Sequence, residues 1–140
     1  MKIMLCFDPA EQAHESLEIA ASHALAFKAV KLLVVASHVI DDKDYPKRIE
    51  PTDQKLAKAS ELLAMKGICC ETMISFRGFE DDKGEHLLAI AREHKVDEIV
   101  VGVKKRSKVG KVLLGSVAQF LILNADCPVV TIRNSLKSIL

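Results

Sequence analysis

Glu98-Ile99-Val100-Val101-Gly102-Val103-Lys104-Lys105-Arg106-Ser107-Lys108-Val109-Gly110-Lys111-Val112-Leu113-Leu114-Gly115-Ser116 is the stretch whose reading decides the fold. Glu98 to Gly102 is a short apolar run of the kind shown by strands buried on both faces. A basic, glycine-containing loop follows. A helix from Leu114 to Asn124 and a last strand from Pro128 to Arg133 complete a strand–loop–helix–strand unit. Pro128 stands at a strand start, where the missing N–H is tolerated.

Upstream, the same alternation recurs. Lys2 to Phe7 reads as a strand. Asp8 can cap the helix that follows, Pro9 suits its first position, and Glu11 completes an Asp-x-x-Glu box. Ala13, Leu17, Ala20, Ala21 and Ala24 recur at helical spacing, and their small side chains let the helix lie close to a sheet. Val30 to Ile40 is the second strand. Residues 41–53, polar and carrying Pro46 and Pro51, read as a long loop. Gln54 to Lys66 is a helix ended by Gly67, and Ile68 to Phe76 is the third strand. Asp82 to Lys95 is a helix with Leu87, Ile90, Ala91 and His94 on one face. Strands alternating with helices imply βαβ units and a mainly parallel sheet with right-handed crossovers. Ligands of such sheets bind beyond the carboxyl ends of the strands, which directs attention to the loops after Phe7, Val39 and Gly102.

The 140 residues suit one domain, 1–140, and nearly half are apolar. Five Phe, one Tyr and no Trp leave Leu, Ile, Val and Ala to build the core. A formal net charge of +1 gives the molecule no bias toward nucleic acid or membrane, so an anion site must come from local clustering. No apolar run approaches the ~20 residues that span a bilayer. The first residues run straight into Asp8-Pro9 and read as a strand, not a signal peptide. Cys6, Cys69, Cys70 and Cys127 lack CxxC spacing. Reduced thiols in a cytoplasmic protein account for them, with no metal site expected. His14, His23 and His86 show no partner pattern, His38 fits a strand end with a satisfied hydrogen bond, and His94 fits packing.

The loop after Gly102 carries Lys104, Lys105, Arg106, Lys108 and Lys111 and no acid. Gly102, Gly110 and Gly115 permit a tight path that brings N–H groups to a phosphate. Gly115-Ser116 falls at a helix start, where unpaired N–H groups and the positive helix end attract anions. The competing reading is a solvated basic loop whose Ser116 merely caps the helix. It is not a Walker loop, because Val112 follows Gly110-Lys111, and it is not a GxGxxG. No carboxylate pair or Ser-His-Asp arrangement can be placed there, so no catalytic residue is assigned and an enzyme is not expected.

The chain resembles the universal stress protein family over nearly its whole length. That family's nucleotide motif is Gly, two residues, Gly, nine residues, Gly, then Ser or Thr. Gly102, Gly115 and Ser116 stand at matching places, and Lys105 replaces the second glycine. Asp8, His38-Val39, Gly78, Leu88-Ala89-Ile90-Ala91, Asp97 to Gly102 and Cys127-Pro128-Val129-Val130-Thr131-Ile132 resemble further blocks in order.

The resemblance implies an open five-stranded parallel sheet of order 3-2-1-4-5 with helices on both faces. This is a Rossmann-like fold of the adenine nucleotide alpha hydrolase-like kind. It implies an ATP-binding regulatory module for stress response, with AMP or ADP as alternatives and Mg²⁺ accompanying ATP. It also implies a homodimer paired through the C-terminal strand. Asp8 would meet adenine or ribose, although a helix cap explains it equally. Val39 would line the adenine pocket, and Gly102 would let the ligand pass. Gly115, Ser116 and Val117 would offer N–H groups, and Ser116 its hydroxyl, to the phosphates. Lys105 leaves two outcomes open. Its side chain can supply charge to the phosphates, which the neighbouring basic residues and Gly110 favour. Otherwise the loop takes another path, and the protein is a nucleotide-free member working through protein contacts.

Overall fold

The computed structural model describes residues 1–9, 14–40, 45–78, 80–103 and 115–133. Five strands form one sheet: β1 (Lys2–Cys6), β2 (Lys31–Val39), β3 (Cys70–Arg77), β4 (Glu98–Val103) and β5 (Val129–Arg133). Their order is β3-β2-β1-β4-β5 and every pairing is parallel, as the resemblance implies. Four helices connect them: α1 (His14–Ala26), α2 (Tyr45–Met65), α3 (Lys83–Glu93) and α4 (Ser116–Asn124).

Alternation along the central strands sorts the core into two layers. Ile3 and Leu5 of β1, with Leu32, Val34 and Ala36 of β2, pack against α1 and α2. Met4 of β1, with Leu33 and Val35 of β2 and Ile99 and Val101 of β4, packs against α3 and α4. The sheet order reverses at β1, so right-handed crossovers put the first two helices on one face and the last two on the other. On α1 the sheet-facing residues include Ala20, Ala21 and Ala24, all buried, which is the close approach their size allows.

Three helices end the same way. A residue with positive φ stands at Lys28 (50°), Gly67 (78°) and Lys95 (53°). The next N–H then reaches back to a carbonyl five residues earlier: Ala29 to Ala24, Ile68 to Leu63 and Val96 to Ala91. This pairs a carbonyl that the helix end would leave open. Gly67 stops α2 as its sequence predicts; the two lysines adopt the same shape at a cost.

One expectation fails at α2. Residues 41–53 read as a loop because of two prolines, yet the helix begins at Tyr45. Pro46 falls in its first turn, where the missing N–H is harmless. Pro51 lies inside the helix and removes one hydrogen bond. Thr52 just beyond it is 2% exposed and bonded to His38, and Leu56, Ala59 and Leu63 are buried on the sheet. Those contacts offset the lost bond.

Candidate functional site

All five strands are parallel, so their carboxyl ends open onto one edge of the sheet. Asp8 follows β1, Val39 ends β2, and Gly102 stands one residue before the end of β4. β1 lies between β2 and β4, which seats Asp8 between the ends that carry Val39 and Gly102. Sheet order reverses here, so the connections leaving β1 and β4 run to opposite faces, the position at which sheets of this kind form a crevice. The last backbone rung at this point is Phe7 N–H to Val35 O, at 2.8 Å. Beyond it the chain leaves the sheet through Asp8 and Pro9.

The start of α4 completes this edge. Gly115 is its N-cap, in extended conformation (φ −60°, ψ 150°), and no side chain caps it. Ser116 is therefore the first helical residue and not the cap. Its N–H and that of Val117 belong to the first turn, which has no intrahelical acceptors. A Cβ built on Gly115 meets no described residue within 4 Å. Among the described residues neither packing nor φ demands a glycine there. α3, by contrast, is capped by Asp82, whose carboxylate accepts from Glu85 N–H at 2.9 Å. One helix of the pair is capped by its own side chain, and no described side chain caps the other.

Among the predicted site residues, Asp8, Val39, Gly102, Gly115, Ser116 and Val117 lie on the carboxyl-end edge of the sheet. Lys105 lies outside the described residues, as does most of the basic loop. So does the segment on which the expected cap of α1 by Asp8 falls. Ser37 Oγ and Arg77 Nε, toward the same ends of β2 and β3, are buried and have no hydrogen-bond partner among the described residues.

Histidines that show no partner pattern in the sequence have partners in space. His23 Nδ1 lies 2.7 Å from Oε1 of Glu98, a carboxylate only 7% exposed. The two are 75 residues apart in sequence, so local spacing carried no signal. This pair is at the opposite, amino-terminal end of β4. His86 Nε2 lies 2.6 Å from Ser75 Oγ, which ties α3 to β3. His38 has the hydrogen bond expected of it, Nε2 to Thr52 Oγ1 at 2.8 Å. Thr52 and Lys55, which are placed at the crevice by α2, were hidden in what reads as loop and solvated helix. Lys55 Nζ donates to the carbonyl of Pro9.

Three of the four thiols behave as apolar groups. Burial pushes the Cys6 thiol up to about 12, against a small opposing pull from Lys83. Burial also raises Cys70 and Cys127. Among the described residues no group of three or more His, Cys, Asp or Glu gathers to hold a metal. No described helix is long and apolar enough to cross a membrane. A cavity of about 190 Å³, lined by Leu88, Ala91, Val96, Ile99 and Cys127, lies at the far edge of the sheet, remote from the crevice. The Arg92–Asp126 pair (2.7 Å) borders it.

Strand order and element order define a doubly wound α/β domain in which α4 starts at the carboxyl edge of the sheet. The chain belongs to the universal stress protein family, whose model matches residues 1–133. A universal stress protein of Thermus aquaticus, from the QAH/OAS sulfhydrylase 3′ region, is 31% identical over 137 residues, covering 94% of this chain and 97% of that one. The universal stress protein of Archaeoglobus fulgidus superposes with a TM-score of 0.79 at 27% identity, covering 94% of this chain and 96% of the other. A structure of the Archaeoglobus fulgidus universal stress protein in complex with dAMP superposes with a TM-score of 0.66 at 23% identity, covering 94% and 95%.

Proposed function

We propose that this protein binds an adenine nucleotide at the crevice and acts as a non-enzymatic regulatory module of stress response. The observation that carries the reading is the start of α4. Its N-cap is Gly115, no described side chain caps it, and it presents first-turn N–H groups at the carboxyl edge of a parallel sheet. The dAMP complex of the Archaeoglobus fulgidus protein supports an adenine nucleotide as the ligand class.

In this reading the adenosine end lies between Asp8 and Val39, and Gly102 leaves room for its passage. The phosphates meet Gly115, Ser116 and Val117, with Lys105 adding charge. ATP is the proposed ligand, with AMP and ADP sharing the site. Any Mg²⁺ would ride on the phosphates, with Asp8 holding it through water. The protein acts in the cytoplasm as a homodimer paired through β5. Nucleotide shifts its conformation by binding one state better than another.

Calorimetric titration of the purified protein with ATP, AMP and GTP tests the reading. Saturable binding of ATP or AMP, with GTP weaker, is expected. No saturation by either adenine nucleotide up to millimolar concentration overturns it. Sustained release of phosphate from ATP at a rate lost in Ser116→Ala, with ATP binding intact, would replace the binding module by an enzyme.

A further inference from the structure

The crevice has two walls that the sheet does not hold together beyond its last rung. One is the Asp8-Pro9 segment after β1; the other is the His38-Val39 end of β2. A single turn of α2 touches both. Thr52 Oγ1 bonds His38 Nε2 at 2.8 Å, directly before Val39. Lys55 Nζ donates to the carbonyl of Pro9, directly after Asp8. Thr52 and Lys55 are three residues apart, so they share one face of the helix. Thr52 is 2% exposed, and the next buried positions, Leu56, Ala59 and Leu63, anchor the same helix to the sheet.

We propose that this turn of α2, Thr52 to Lys55, is a positioning element that sets the width of the adenosine end of the crevice. The inference rests on the nucleotide reading above and adds residues that the family motif does not contain. The physical case is one of proportion. A solvent-exposed lysine donating to a backbone carbonyl adds little net stability, because fixing a long side chain offsets much of the bond. The fold gains little from Lys55, whereas the site gains a fixed distance between its two walls. Holding a site open to its ligand's dimensions raises affinity by removing the cost of ordering it on binding. Lys55 and Thr52 act through Pro9 and His38, without touching the ligand.

The test is calorimetric titration of wild type, Lys55→Met, Lys55→Arg, Thr52→Val and Ser116→Ala with adenosine and with AMP, alongside thermal melts. Lys55→Met is expected to weaken adenosine and AMP by the same factor, about fivefold to tenfold, since only the shared nucleoside end is affected. Its melting temperature should stay within about 2 °C of wild type. Lys55→Arg should restore most of the affinity, and Thr52→Val should weaken both ligands in parallel. Ser116→Ala, in contrast, should weaken AMP and leave adenosine alone. In the free protein, amide shifts of Asp8 and Val39 should move in Lys55→Met and return in Lys55→Arg. Wild-type affinity retained in Lys55→Met overturns the proposal while leaving the nucleotide reading intact. A loss confined to AMP also overturns it, because Lys55 would then be a phosphate contact. A wild type that binds neither ligand removes the nucleotide reading, and this proposal with it.

Discussion

Ser116 begins α4 one residue inside its cap, so its hydroxyl is not committed to closing the helix. Its removal should therefore cost the helix little and a bound phosphate much. A hydrogen bond to a charged group is worth about 1.5–3 kcal/mol, so Ser116→Ala should weaken AMP and ATP by roughly tenfold or more. Calorimetry on the two nucleotides checks it. Cys6 makes a second residue-scale case. Its thiol is held up to about 12 by burial, so at pH 8 only about one molecule in ten thousand carries the thiolate. Brief alkylation at pH 8, read by mass spectrometry, should label exposed Cys69 and spare Cys6 until the protein unfolds. The folded-state value lies above the unfolded one of 9.0, so neutral Cys6 contributes stability that is complete below pH 9. That contribution disappears as pH climbs toward 12. Cys6→Ala should flatten the alkaline limb of a stability–pH curve while lowering its plateau by the loss of packing.

Element ends and contacts carry their own consequences. Gly84, in the first turn of α3, is buried against Phe120 of α4, and a Cβ there would come within 2.9–3.0 Å of the Phe120 side chain. Part of that clash is with Phe120 Cβ, which cannot swing away. Gly84→Ala should thus lose about 1–3 kcal/mol of urea stability, although alanine is the better helix former. Lys28 and Lys95 present the opposite case. Both hold positive φ at helix ends where Gly67 does the same without a side chain. Lys28→Gly and Lys95→Gly should each stabilise the protein by roughly 0.5–1 kcal/mol in urea unfolding. These elements also show what could be read ahead of the structure. The strand–helix alternation, Gly67 as a stop and the apolar stripes of α2 and α3 are local periodicities, and they survive folding. The start of α2 was not legible, because two prolines outweigh a helix whose support is tertiary: Thr52 on His38 and Leu56 on the sheet. Likewise Gly115-Ser116 announced a helix start, but which of the two caps it depends on a one-residue shift that composition does not encode. His23–Glu98 and Lys55–Pro9 join residues far apart in sequence, beyond the reach of any spacing rule.

At the scale of the whole molecule, the sheet has two edges, and they differ. β3 is overlaid by α2 and carries Glu71, which pairs with Lys31 at 2.8 Å. That pairing holds the Glu71 carboxyl below its usual range. β5 is short, and α4 beside it exposes Ile122 and Leu123, the latter 73% open. An apolar helix face next to a strand edge that no described strand pairs is the kind of surface that a second copy covers under two-fold symmetry. The backbone says which residues would pair. Ile99 N–H donates to the carbonyl of Pro128 at 3.0 Å, so Pro128 turns toward β4. Along a strand the N–H and C=O of alternate residues point to opposite edges, so Val130 and Ile132 also turn inward. Val129, Thr131 and Arg133 then direct their backbone groups to the open edge. Thr131→Pro should consequently remove one outward donor without touching the β4–β5 ladder. Sedimentation velocity is expected to show wild type as a dimer and Thr131→Pro as a folded monomer. Val130→Pro should instead break the ladder and lower the melting temperature by many degrees. A Thr131→Pro protein that still sediments as a dimer would move the interface away from β5, and a monomeric wild type would leave that edge to some other partner.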